Sequence, residues 1–61
     1  MKKDELRFYI GREVKVILEN GQKYYGVLFF DEANSNNVVL QGVENNTLKK
    51  DDIKEVYYLK S

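Results

Sequence analysis

The run from Tyr24 to Phe30 in "NGQKYYGVLFFD", Asn20 to Asp31, constrains this chain more than any other stretch. In a strand, Tyr24, Gly26, Leu28 and Phe30 point one way, and Tyr25, Val27 and Phe29 point the other. A solvated antiparallel strand shows apolar side chains on one face only, whereas this one is apolar on both. Gly26 sits in its middle, where glycine weakens a strand unless the strand bends sharply or another backbone approaches closely. The pattern predicts a bent central strand in a small β domain, with both faces in use.

The chain has 61 residues, enough for one domain spanning 1–61. A domain of this size buries only about 60% of the surface that its unfolded chain exposes. Small domains of this kind lean on disulfides, a metal or a partner chain. The sequence has no Cys and no His, which excludes a disulfide or thiolate site and removes the commonest metal ligand and general base. No cofactor or metal is expected, and association with further copies of the chain becomes the expected staple.

A short helix is expected over residues 3–10, because Leu6, Tyr9 and Ile10 share one face at helical spacing. Gly11 then supplies a left-handed cap. The helix is expected to dock as a lid on an open end of the core, since a helix this short does not persist alone. Val14, Val16 and Leu18 alternate with polar residues in a first strand. Asn20-Gly21 predicts a type I′ hairpin turn into the strand centred on Gly26. "DEANSNN", Asp31 to Asn37, reads as a polar loop. A third strand is expected over Val38–Leu40, with extension to Val43, and then a tight turn at Glu44-Asn45-Asn46. A short fourth strand is expected at Thr47–Lys50, a turn at Asp51-Asp52, and a fifth strand over Ile53–Leu59. The expected fold is mostly β: a short N-terminal helix, then a five-stranded, strongly bent antiparallel SH3-like barrel over about residues 12–59.

Ten basic and ten acidic residues cancel, so the bulk positive charge of a general nucleic-acid binder is missing, and any anion site must be local. No apolar run approaches a membrane span. The first ten residues carry Asp4 and Glu5 and lack an apolar stretch, so they do not read as a secretory signal. A cytoplasmic location is expected. Lys2 and Lys3 read as a solvated end or, alternatively, as a basic arm.

Residues 10–40, "IGREVKVILENGQKYYGVLFFDEANSNNVVL", resemble the first motif of the Sm and Sm-like proteins, a family that includes the bacterial RNA chaperone Hfq. The resemblance rests on Gly11, on Val14, Val16 and Leu18 in alternation, on Gly21, Gly26 and Leu28, on Asp31, and on Asn36 or Asn37. In the second motif, "TLKKDDIKEVYYL" places Lys49 and Lys50 where Sm proteins carry an Arg-Gly step. In Hfq-type registration Lys50 matches the motif lysine, and Lys49 and Asp51 replace its Tyr and His.

The resemblance implies a homo-oligomeric ring, hexameric or heptameric, in which the fourth strand of one subunit pairs with the fifth of its neighbour. It further implies single-stranded RNA at the meeting of two loops, with Asn36 or Asn37 reading a base edge and Lys49 or Lys50 facing phosphate. Tyr24, Gly26, Leu28 and Phe30 would fill the barrel. Tyr25, Val27 and Phe29, with Tyr57 and Leu59, would lie under the helix or in the seam between subunits, and Tyr25 and Phe29 are candidate stacking residues on a second RNA face. The loop "EANSN" brings no aromatic or Arg of its own, and lysine lacks the planar fork of arginine.

The bland reading makes the asparagines turn formers and the lysines solvated charges. Asp31 and Glu32 have no nucleophile or metal ligand near them, so no catalytic residue and no enzyme are expected. The alternative function is an SH3-like barrel serving as a protein-interaction or assembly module without RNA.

Overall fold

The structure is a computed structural model and describes residues 3–59. A 3₁₀ helix, Lys3–Tyr9, is followed by five strands: β1 (Glu13–Leu18), β2 (Lys23–Phe30), β3 (Asn37–Gln41), β4 (Asn45–Lys49) and β5 (Ile53–Tyr58), with a 3₁₀ turn at Lys50–Asp52 between the last two. All neighbouring strands are antiparallel, in the order β4-β3-β2-β1-β5. The sheet is open, with β4 and β5 as its two edges.

One core holds it together. Leu6, Val14, Val16, Leu18, Leu28, Val38, Leu40, Leu48, Ile53 and Val56 are buried, and Tyr9, Ile10 and Tyr24 pack against them. Every strand contributes, and the extents of 28 × 23 × 21 Å are nearly equal. A flat sheet cannot produce that shape, so the sheet curls around its own concave face. At Gly26 the β3–β4 backbone comes close. A Cβ there would lie 2.7 Å from the Gln41 carbonyl carbon and 3.1 Å from the Gly42 nitrogen. The backbone approach expected of Gly26 is therefore present, and Gly42 is its counterpart, since a Cβ on Gly42 would lie 2.6 Å from the Tyr25 carbonyl oxygen.

The N-terminal segment is a 3₁₀ helix of seven residues. Leu6 plugs the core, and Tyr9 meets the Tyr58 ring at 4.6 Å between centroids. Gly11 takes φ 79°, the left-handed conformation expected of it, and its N–H donates to the Leu28 carbonyl at 2.7 Å. The helix packs on the core and touches one side of the exposed Tyr58 ring, and the outer aromatics do not lie under it. Tyr25, Phe29 and Tyr57 remain 55%, 37% and 44% exposed in the chain.

Two turns differ from expectation. Among the described residues, none other than glycine has positive φ, so Asn20-Gly21 is not a type I′ turn. Instead, Gly21 N–H donates to the Leu18 carbonyl and Leu18 N–H to the Gln22 carbonyl. This is a three-residue loop closed by Gly21 at φ 90°, the bulged alternative to the two-residue turn. The Asn20 side-chain oxygen accepts from the Gln22 N–H at 3.0 Å, and that contact needs no positive φ at Asn20. Between β3 and β4 the chain reverses at Gly42–Glu44, not at Glu44–Asn46, because Asn45 and Asn46 pair with Gln41 and Leu40. The close packing of Gly42 on Gly26 sets the reversal earlier than asparagine's turn preference suggests, and it leaves Val43 fully exposed.

Candidate functional site

The loop after β2 is built from two successive side-chain turns. The Asp31 carboxylate accepts from the Ala33 N–H at 2.9 Å, and the Asn34 side-chain oxygen accepts from the Asn36 N–H at 2.9 Å. Backbone bonds from Asn34 N–H to the Asp31 carbonyl, and from Asn37 N–H to the Asn34 carbonyl, close each turn. Asp31 and Asn34 are thus turn formers, in the way Asp and Asn hydrogen-bond their own backbone two residues on. Asn36 is not used this way: its side chain is exposed and has no hydrogen-bond partner among the described residues.

The second loop is clasped to the first. Lys50 N–H donates to the Asn36 carbonyl at 2.9 Å, and Asn37 pairs with Lys49 at the end of the β3–β4 ladder. Asn36, Asn37, Lys49 and Lys50 therefore meet at one end of the sheet. Asp31, Asp51 and Asp52 lie on the same two connections, so the local field is mixed. Lys2 lies outside the described residues.

Phe30 belongs to this group, although its alternation assigns it to the barrel filling. It closes the row Phe30–Val38–Leu48. Val38 and Leu48 are buried, but Phe30 is 49% exposed because the sheet ends there. The Lys50 ammonium lies 5.4 Å from its ring centroid. The sequence signal was its position as the last apolar residue before Asp31, at the mouth of the concave face.

Tyr25 and Phe29 stand elsewhere, on the outer face. Tyr25 shares a cross-strand row with Lys15 and Tyr57, and Phe29 a row with Val39 and Thr47. The Lys15 ammonium lies 5.2 Å from the Tyr57 ring centroid. The Tyr57 hydroxyl donates to the Glu55 carboxylate at 2.7 Å, and this bond, with Glu55's charge behind it, raises the Tyr57 pKa above its ordinary 10.0.

A groove of about 480 Å³ is lined by Gly11, Arg12, Glu13, Tyr58 and Leu59. Among the described residues no group of three or more acidic, His or Cys side chains could hold a metal. No helix among them is long and apolar enough to cross a membrane.

Compared with known proteins, the chain matches no family model and no curated protein. The clasped loops, with their asparagine, lysine and phenylalanine side chains, are the strongest candidate site. The chemistry there suits a planar, anionic, unpaired ligand: a half-exposed ring, an amide with donor and acceptor, and cations beside them.

Proposed function

We propose that this chain is a non-catalytic, Sm-like RNA-binding protein whose copies assemble into a ring and hold single-stranded RNA where the two clasped loops meet. The observation that carries the reading is the Lys50 N–H to Asn36 carbonyl bond, which joins the two loops that the Sm-like resemblance nominates. The strand order adds support. A curled sheet with β4 and β5 as its two edges offers a head-to-tail pairing of unlike edges, and such a pairing closes into a ring when the rotation between copies permits. Ring closure would also remove two strand edges from solvent. Asn36 and Asn37 are then base-edge readers and Lys49 and Lys50 phosphate contacts. A weak site repeated around a ring gains affinity by multivalency.

A second reading makes the chain a protein-assembly module on a small SH3-like barrel. It draws on the zero net charge and on the exposed outer row of Tyr25 and Tyr57. Native mass spectrometry, with and without short uridine-rich and adenosine-rich RNA, separates the two. A species of about six or seven protomers that retains RNA supports the ring. A monomer or dimer indifferent to RNA overturns it in favour of the module.

A further inference from the structure

We infer that Phe30 is the base-stacking residue of this site, and that Lys50, which covers its ring in the free protein, moves from ring to phosphate when a single-stranded nucleotide binds. The inference rests on the RNA reading above and adds a residue that the sequence motifs do not nominate.

Four observations carry it. First, Phe30 is a half-exposed aromatic placed in the row adjoining Asn37 and Lys49 at the end of the ladder. Second, Lys50 is both the backbone partner of Asn36 and the cation 5.4 Å from the Phe30 centroid. One residue thus links the amide reader to the ring. Third, strand alternation separates the candidates. Phe30 lies on the concave side with Val38 and Leu48, whereas Phe29, with Val39 and Thr47, lies on the convex side. Tyr25 follows the convex alternation in β2, and Asn37 and Lys49, one rung beyond Val38 and Leu48, fall on that convex side too, so Phe30 is the aromatic candidate that shares the concave end with the Lys50 ammonium. Fourth, the Asn36 carboxamide has no hydrogen-bond partner among the described residues and is free to pair with a base edge.

The exchange follows from comparing the two contacts. An ammonium over an exposed phenyl ring is a weak interaction, and a stacked base is the stronger occupant of the same face. The displaced ammonium keeps its hydration and gains a phosphate. The backbone bond from Lys50 N–H to Asn36 does not involve the side chain, so the loop clasp survives the swing. The ligand class is therefore an unpaired nucleotide carrying its base. A sugar–phosphate chain without bases offers the ring nothing to stack.

The test is binding of the full chain to a short fluorescent oligouridine, a short oligoadenosine and an abasic ribose–phosphate chain of equal length. Wild type is expected to prefer either base-bearing probe over the abasic one. Phe30→Leu is expected to lose about tenfold or more in affinity for them and to bind the abasic probe as wild type does, while Phe30→Tyr restores binding. Lys50→Met is expected to flatten the salt dependence yet keep the preference for bases. Phe30 is half exposed, so Phe30→Leu should fold, and its thermal melt checks this. If wild type binds the base-bearing probes and folded Phe30→Leu binds them equally well, the inference is overturned and the RNA reading stands. Loss of binding in Tyr25→Leu or Phe29→Leu but not in Phe30→Leu also overturns it, by moving the base to the outer face. If wild type binds none of the probes, the RNA reading itself falls and takes the inference with it.

Discussion

The backbone N–H of Lys50 reaches across to the carbonyl of Asn36 at 2.9 Å, one residue beyond the last rung of the β3–β4 ladder. This bond extends the sheet's hydrogen bonding into two loops. The Lys50 amide is therefore expected to exchange with solvent as slowly as amides inside β4, although it lies in the 3₁₀ turn. Asn34→Ala removes the acceptor for the Asn36 N–H, and should speed exchange at Lys50 without touching either bonded residue. Hydrogen exchange followed by NMR checks both. Fast exchange at Lys50 in the wild type would show that the loops are not clasped in solution.

Gly26→Ala should be among the most damaging small substitutions. Its new Cβ would lie 2.7 Å from the Gln41 carbonyl carbon, and that atom is backbone, so the β2–β3 ladder must shift. A cost of about 2 kcal/mol or more is expected from overpacking and the strained conformation. Gly21→Ala is the control. Nothing lies within 4 Å of its Cβ, but φ is 90°, so its cost is the left-handed penalty alone, about 1 kcal/mol. Urea denaturation should show both as lower midpoints with unchanged slope, in that order.

These glycines also mark what the sequence made legible. Gly26 announced either a sharp bend or a close backbone approach, and the backbone of Gln41 and Gly42 does come close there. The alternation of Val14, Val16 and Leu18 gave the buried face of β1 directly. The Asn-rich turns were harder. Asn45 and Asn46 have turn propensity, yet they pair in β4, because the position of the reversal is decided by Gly42 packing on Gly26, a contact between residues far apart in sequence. The candidate site was half legible. The resemblance brought Asn36, Asn37, Lys49 and Lys50 to one place. Phe30 was hidden, because alternation tells which face a residue shares and not where along the strand that face runs out.

Two of the contacts that hold the N-terminal 3₁₀ helix to the sheet can be tested separately. Leu6 is fully buried in the core, and Leu6→Ala should cost about 3 kcal/mol through lost transfer energy and the cavity left behind. A domain this size has only about 3–9 kcal/mol in total, so that single change should consume a large share of it. Tyr58 contributes less. Its hydroxyl donates to the Phe8 carbonyl at 2.8 Å, and Tyr58→Phe should cost about 0.5–1 kcal/mol at an exposed position. Thermal melts rank the two variants. Equal small losses would mean that the helix is not a structural lid.

Alkaline pH should reveal the Tyr57–Glu55 pair on the outer face. The Tyr57 hydroxyl donates to the Glu55 carboxylate at 2.7 Å, and this raises its pKa above 10.0. A tyrosine whose pKa is higher folded than unfolded stabilises the fold fully below pH 10.0, and that contribution is lost as pH rises through the folded value. The Lys15 ammonium, 5.2 Å from the ring centroid, favours the phenolate and works against Glu55. The direct bond is the stronger influence, because it acts on the ionising oxygen itself. Spectrophotometric titration of tyrosinate should therefore show one tyrosine ionising at lower pH in Glu55→Ala than in the wild type. That difference should vanish when Tyr57→Phe is placed in both backgrounds. Superimposable titrations of wild type and Glu55→Ala would mean that the two side chains do not pair in solution, and that the Tyr57 ring is free to present its face to a partner.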